Sequence, residues 1–182
     1  DTGKFHSLIR SFNIDPKKKI KELSRGMKVK LMIAVALSHD ANLLILDEPT
    51  SGLDAVSRNE LMDILSDFIV DENKGVLFST HITSDLERVA DFITFISNGN
   101  VVYSGDKDSL LEKYVMVKGG RGVLNSDQLK LIYGYREHSF GFDGLIERAL
   151  LSKLPETVIN EPCNLDDILI RTNMGAKKYE YE

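Results

Sequence analysis

Apolar residues are patterned in two ways along this chain, at helical spacing and in short unbroken runs, and the alternation between the two predicts the order of elements. Met27, Leu31, Val35 and Leu37 recur at roughly helical spacing behind Ser24, a favourable N-cap type, and predict a helix from about Gly26 to His39. Before it, residues 1–22 read as helical and polar up to Lys17-Lys18-Lys19, with Asn13-Ile-Asp-Pro16 as a turn, since proline holds its predecessor extended. The run Lys17-Lys18-Lys19 reads as a solvated face. Leu43 to Leu46, closed by Asp47, Glu48 and Pro49, has the pattern of a strand buried on both faces of a parallel sheet. Residues 55–72 then read as an amphipathic helix through Val56, Leu61, Ile64, Leu65, Phe68 and Ile69, and Gly75 to Thr80 as a second short buried strand. Strand, helix and strand in that order imply a right-handed crossover. A polar helix from His81 to Val89 leads into Phe92 to Ser97 and Val101 to Ser104, two apolar runs around Asn98-Gly99, which is a strong hairpin signal.

From about Lys113 the character changes to short alternating strand and helix candidates around the loop Lys118-Gly-Gly-Arg-Gly122, as far as Ile170. The expected architecture is therefore α/β, with a parallel-sheet core over residues 1–112 and a small α+β accessory subdomain over 113–182. The closing Lys177-Lys-Tyr-Glu-Tyr-Glu182 has no apolar period and is expected to fray.

Composition narrows the function classes. With 182 residues, 42% hydrophobic and 28% charged, the chain has the make-up of an average globular domain rather than a disordered one. Its longest strongly apolar run, Leu31 to Leu37, is far shorter than the roughly 20 residues of a membrane-spanning helix. A net charge of −5 gives no basic field for a phosphate backbone, so nucleic acid is not an expected partner. The single cysteine, Cys163, supplies neither an internal disulfide nor a metal cluster and fits a reducing, cytoplasmic setting. The opening residues lack the features of a signal peptide and also lack a methionine, so the chain is expected to begin in mid-protein.

The chemistry-bearing residues begin with Asp47 and Glu48, adjacent acids at the carboxyl end of a predicted buried strand, where ligands of open α/β sheets collect. Consecutive strand residues point to opposite faces, so the two carboxylates are expected to do different things: one to hold a metal, the other to face a reacting water. Taken alone, the pair could equally be a strand ending in solvent, Ser24 an ordinary N-cap, His81 a surface residue and Asp54 a turn former. Their order changes this. Leu23-Ser24-Arg25-Gly26-Met27, the apolar run into Asp47-Glu48, Ser51-Gly52-Leu53-Asp54 and Ser79-Thr80-His81 follow one another in a sequence that resembles the nucleotide-binding domain of ABC transporters over residues 1 to about 105.

That resemblance implies a partial P-loop NTPase domain that uses ATP and Mg2+. By it, Ser24, Arg25, Gly26 and Met27 form a signature sequence that grips the γ-phosphate bound by an opposite subunit, and a helix N-terminus suits an anion. Asp47 is the Walker B metal ligand, Glu48 the general base, His81 the switch histidine and Asp54 the acid of the loop that links two cassettes. The implied partners are a second ATP-binding subunit and transmembrane permease subunits, and the implied place is the inner face of a bacterial cell membrane, with export as the transport direction.

The departures matter too. Arg25 and Met27 stand where Gly and Gln are usual, in a form similar to small bacterial exporter cassettes. No Gly-x-x-x-x-Gly-Lys-[Ser/Thr] occurs in the sequence, since Gly119-Gly-Arg-Gly122 lacks the closing Lys-[Ser/Thr] and follows the other motifs. The chain is thus expected to be the C-terminal portion of a cassette, inactive alone and prone to self-association through an uncovered sheet. Alternative readings are a truncated docking or regulatory cassette without turnover, or a soluble member of the same superfamily.

Overall fold

The computed structural model describes residues 1–173, and the expected fraying of residues 177–182 lies outside that range. The chain divides into a compact unit from Asp1 to Val89 and a second from Ala90 onward.

The first unit opens with α1 (Thr2–Ser11), capped by Asp1. Asn13 then takes a left-handed φ of 56° and turns the chain toward α2 (Arg25–Leu37). Ile9, Ile14, Leu23 and Ala34 bury together and bind these two helices to each other. β1 (Leu43–Asp47) and β2 (Gly75–Ser79) pair in parallel, with α3 (Ala55–Ile69) as the crossover and α4 (Thr83–Val89) following β2. The α/β reading of this segment holds.

The expectation of strands buried on both faces does not hold. Ile33 of α2 and Leu61, Met62 and Leu65 of α3 pack on Leu44, covering one side of the sheet. On the other side Leu43, Ile45 and Leu77 are 55%, 71% and 61% exposed. Helices cover one face only, and side chains alternate along a strand, so every second apolar residue is left in solvent. Two helical positions are corrected as well. Val56 is exposed because it lies five residues before the buried Leu61, about 140° around the helix from it. Val35 is also exposed, while its neighbours Ile33 and Ala34 take the buried positions of α2.

In the second unit, β3 (Phe92–Ser97) and β4 (Asn100–Asp106) form the expected hairpin. Asn98 and Gly99 have φ of 50° and 77°, the two positive values that a tight type I′ turn demands. After α5 (Lys107–Lys113) comes an antiparallel sheet of β5 (Tyr114–Gly119), β6 (Tyr133–His138), β7 (Gly141–Glu147) and β8 (Ile159–Glu161), in the order β6-β7-β5-β8. Between β5 and β6 lies the short α6 (Ser126–Leu129). The closing helix α7 (Leu165–Asn173) starts at Asn164, whose side chain accepts from Asp167 N at 2.8 Å while its own N–H donates to Asp167 Oδ2 at 3.1 Å. This reciprocal cap stops the chain from continuing extended after Cys163. Arg171 of α7 donates to Gly134 O at 2.8 Å and to the Asp143 carboxylate, which ties the helix to β6 and β7.

Candidate active site

The carboxyl ends of β1 and β2 carry the candidate chemistry, and their parallel register places Asp47 directly beside Ser79. The Ser79 hydroxyl donates to Asp47 Oδ1 at 2.5 Å, leaving Oδ2 uncommitted by that bond. β1 stops at Asp47 because Glu48 turns into the left-handed region, with φ of 47°. For a residue with a side chain that conformation costs about 1–2 kcal/mol. Two acceptors offset it: the Glu48 N–H lies 3.1 Å from the Ser79 carbonyl and 3.1 Å from its hydroxyl oxygen.

The turn aims Glu48 at His81, whose Nδ1 lies 2.7 Å from Glu48 Oε2. Asp47 and Glu48 therefore do point to different partners, as the sequence suggested, but the cause is a backbone reversal at Glu48 and not strand alternation. His81 is placed by a turn of its own, in which Ile82 N donates to Thr80 Oγ1 at 3.0 Å. Two links hold the surrounding segments. Thr50, two residues past Glu48, is fully buried and donates to buried Asp85 of α4 at 2.5 Å. Arg88 of α4 reaches Asn59 Oδ1 at 2.7 Å and Asp63 Oδ1 at 2.5 Å on α3. The segments after β1 and β2 are thus fastened to each other beyond the Glu48–His81 contact.

The signature-like residues gather at the N-terminus of α2, adjoining the start of α3. Ser24 caps α2 by accepting from Met27 N at 3.2 Å. The amides of Arg25 and Gly26 sit in the first turn, where no intrahelical acceptor exists and the helix dipole favours an anion. Gly26 is buried against Ser57, since a Cβ there would lie 2.7 Å from the Ser57 hydroxyl oxygen. Asp54 caps α3, accepting from Ser57 N at 2.9 Å and Ser57 Oγ at 3.0 Å. The Ser57 backbone bond, helped by its hydroxyl, holds the Asp54 carboxyl below the usual aspartate range. Ser57 is therefore shared between the Asp54 turn and Gly26, and Gly52, with φ of 66°, lies directly under the Arg25 guanidinium.

Every site residue expected from the sequence is thus found in one of two groups: Asp47, Glu48 and His81 at the strand ends, and Ser24, Arg25, Gly26, Met27 and Asp54 at two adjacent helix starts. Sequence reasoning passed over Ser79, Ser57 and the Thr50–Asp85 pair. Ser79 had a readable signal, a hydroxyl closing a strand of the same length as the one that ends in Asp47. The Thr50–Asp85 bond spans 35 residues and had none. Among the described residues no cluster of three His, Cys, Asp or Glu side chains forms an all-protein metal cage. One exposed carboxylate with a free oxygen fits Mg2+, which is usually held by one or two carboxylates together with substrate phosphates.

Comparison with known proteins bears on the family and the fold. The family model described as ABC transporter matches residues 2–51. The lantibiotic transport ATP-binding protein SrtF of Streptococcus pyogenes is 44% identical over 96 residues, covering 53% of this chain and 41% of that protein. The ABC transporter ATP-binding protein YtrB of Bacillus subtilis (strain 168) is 30% identical over 186 residues, 96% of this chain and 63% of its own length. The Nod factor export ATP-binding protein I of Neorhizobium galegae is 31% identical over 169 residues, 84% of this chain and 47% of its length. The chain thus spans only about half of the relatives it matches. A solved structure described as an inward-facing, metal-chelate type ABC transporter superposes with a TM-score of 0.54 at 21% identity, covering 82% of this chain and 59% of that one, which bears on the fold. The chain belongs to the ATP-binding protein family of the ABC transporters, and its α/β fold is that of a P-loop NTPase.

Proposed function

We propose that these residues supply the hydrolytic half of an ATP-binding subunit that powers export through an ABC transporter. The observation that carries this reading is the 2.7 Å contact between Glu48 and His81 beside the tethered Asp47. Glu48 Oε2 is held by His81, which leaves Oε1 to accept a proton from an attacking water, general-base assistance that contributes typically about 10²- to 10⁴-fold. With Nδ1 engaged by Glu48, Nε2 is the ring nitrogen of His81 left to meet the nucleotide. Asp47 Oδ2 would hold Mg2+, which when bound neutralises charge on the transferring phosphate. Ser24 and the amides of Arg25 and Gly26 would receive the γ-phosphate of nucleotide bound on a second subunit, with Met27 closing the turn through its bond to Ser24 and Asp54 positioned at the junction between the two.

The export direction draws support from the relative named for Nod factor export. The wider setting follows from the same reading: a homodimer of ATP-binding subunits on transmembrane permease partners, at the inner face of the membrane. The boundary near residue 112 between the cassette and an accessory segment belongs to it too. Because the 182 residues contain no phosphate-cradling Gly-x-x-x-x-Gly-Lys-[Ser/Thr] loop, the chain alone is expected not to turn over ATP. The test is ATP hydrolysis by the complete gene product that carries these residues. Glu48→Gln should lower kcat by at least about 10²-fold while nucleotide still binds. Turnover by the isolated chain that is lost on Glu48→Gln would overturn the expectation of inactivity, and an active Glu48→Gln complete protein would overturn the assigned base.

A further inference from the structure

Ser79 touches both carboxylate-bearing residues of the candidate site at once, which no other side chain considered above does. Its Oγ–H donates to Asp47 Oδ1 at 2.5 Å, and the same oxygen lies 3.1 Å from the Glu48 N–H as an acceptor. A hydroxyl has one proton to give and two lone pairs to accept with. Ser79 spends the proton on the side chain of one acid and a lone pair on the backbone of the next, so one oxygen atom links the Asp47 carboxylate to the Glu48 backbone. The placement is set by the sheet, because Asp47 and Ser79 are register partners at the ends of β1 and β2.

The bond to Asp47 is charge-assisted, the stronger class of hydrogen bond. It occupies Oδ1 and so fixes which carboxylate oxygen is left for a ligand. The bond to Glu48 supports a left-handed backbone that a glutamate otherwise disfavours, and that backbone is what directs the carboxylate to His81. Ser79 itself is exposed, so its hydrogen bonds compete with water and add little to folding stability. A surface serine bound this way is better explained by the groups it orients than by the fold it holds.

We propose that Ser79 is a positioning residue for hydrolysis, setting the metal-facing oxygen of Asp47 and the approach of Glu48 together. This rests on the reading of Asp47 as Mg2+ ligand and Glu48 as base. Thr and Val have the same shape and both suit a strand, and differ at this position in the hydroxyl alone. In the complete gene product Ser79→Val should lower kcat by about tenfold or more, because a hydrogen bond to a charged catalytic group is lost. It should also raise the Mg2+ midpoint several-fold when Mg2+ binding is titrated calorimetrically against a non-hydrolysable ATP analogue, with the KM for ATP nearly unchanged. Ser79→Thr should restore both values.

Loss of folded protein would lower kcat without moving the Mg2+ midpoint, so that midpoint separates positioning from a structural role. An active wild type, an inactive Glu48→Gln variant and a Ser79→Val variant with unchanged kcat and Mg2+ midpoint would overturn the proposal and leave the assigned base standing. A Ser79→Thr variant as defective as Ser79→Val would overturn it as well. Absence of ATP hydrolysis in the wild type would remove the underlying reading and this proposal with it.

Discussion

The parallel pair β1–β2 and the four-stranded antiparallel sheet handle apolar residues in opposite ways. In the second unit the antiparallel sheet buries Val115, Val117, Leu145 and Ile146 to 1% exposure or less, with Phe142, Ile132 and Leu154 closing the core. In the first unit the parallel pair β1–β2 is covered on one side only and leaves Leu43, Ile45 and Leu77 in solvent. Parallel strands are normally covered on both faces. The candidate chemistry stands at the ends of the half-covered sheet, whereas in the finished one the polar side chains serve the fold, as Arg171 and Asp143 do in holding α7. The four-stranded sheet closes over its own core, while the candidate site stands at the ends of the two strands whose outer face is open.

A pair of truncations gives the largest effect that tests this contrast. Phe142→Ala should destabilise the second unit by about 3–5 kcal/mol, the usual cost for a fully buried Phe. Ile45→Ala should change stability by no more than about 0.5 kcal/mol, since its side chain is already in water. The sequence offers a clean probe, because every tyrosine follows Val89 and there is no Trp. Tyrosine fluorescence during urea unfolding therefore reports on the second unit and far-UV circular dichroism on both. A loss at Ile45 comparable to that at Phe142 would mean that the exposed face is covered in solution.

That face also carries the next effect. Ile45 and Leu77 are register partners, so they form one contiguous apolar patch of the kind that promotes association. The purified chain should elute above its monomer mass by light scattering, and Ile45→Lys with Leu77→Lys should return it to monomer. A wild-type monomer would show that the patch is too small to hold two copies together.

A smaller effect is expected where the signature turn meets the loop before α3. Gly52→Ala should cost about 1–2 kcal/mol, the penalty for a side chain in the left-handed region. The clash with Arg25 should add little, because the atoms in the way are the tip of a flexible side chain. Combining it with Arg25→Ala tests this: near-additive losses in chemical denaturation are expected, and strong coupling would show that the guanidinium is held rigidly over the glycine.

Much of the first unit, and the hairpin of the second, was legible in the sequence because those signals are local. Ser24 and Asp54 cap the helices they precede, Asn98-Gly99 turns the hairpin, and the apolar run into Asp47 is a strand. Coverage was not legible. A run such as Leu43 to Leu46 shows that a strand can be buried on both faces, but whether it is depends on elements elsewhere in the fold. Exposure of Val56 and Val35 has the same origin, since helical periodicity fixes a stripe only once the partner is known. In the site, the chemical identities were readable while the connections were not. The Glu48 turn, the Ser79 bridge and the Thr50–Asp85 bond are products of parallel register and of packing over more than 30 residues of separation. The order β6-β7-β5-β8 was equally out of reach, because strand order depends on pairings between residues distant in sequence.

The smallest expected effect compares one device used in both units, an aspartate that caps a helix. Asp54 caps α3 through Ser57, and Asp106 caps α5 by accepting from Ser109 N at 2.6 Å. Both carboxyls are held below 3.8, in each case chiefly by the backbone N–H they accept from. A group whose folded pKa is depressed stabilises the fold above its unfolded pKa and loses that contribution as pH falls through the folded value. Each cap should therefore contribute fully at neutral pH and fade only below about pH 4. Asparagine accepts the same hydrogen bond without titrating in this range. Asp54→Asn should thus flatten the acid limb of the circular dichroism melting curve, leaving the part due to Asp71, which is also held low by its neighbour Asn73. Asp106→Asn should flatten the limb followed by tyrosine fluorescence and leave the first unit unchanged. Wild type and both variants losing stability in parallel between pH 5 and pH 3 would show that neither cap titrates in contact with its helix.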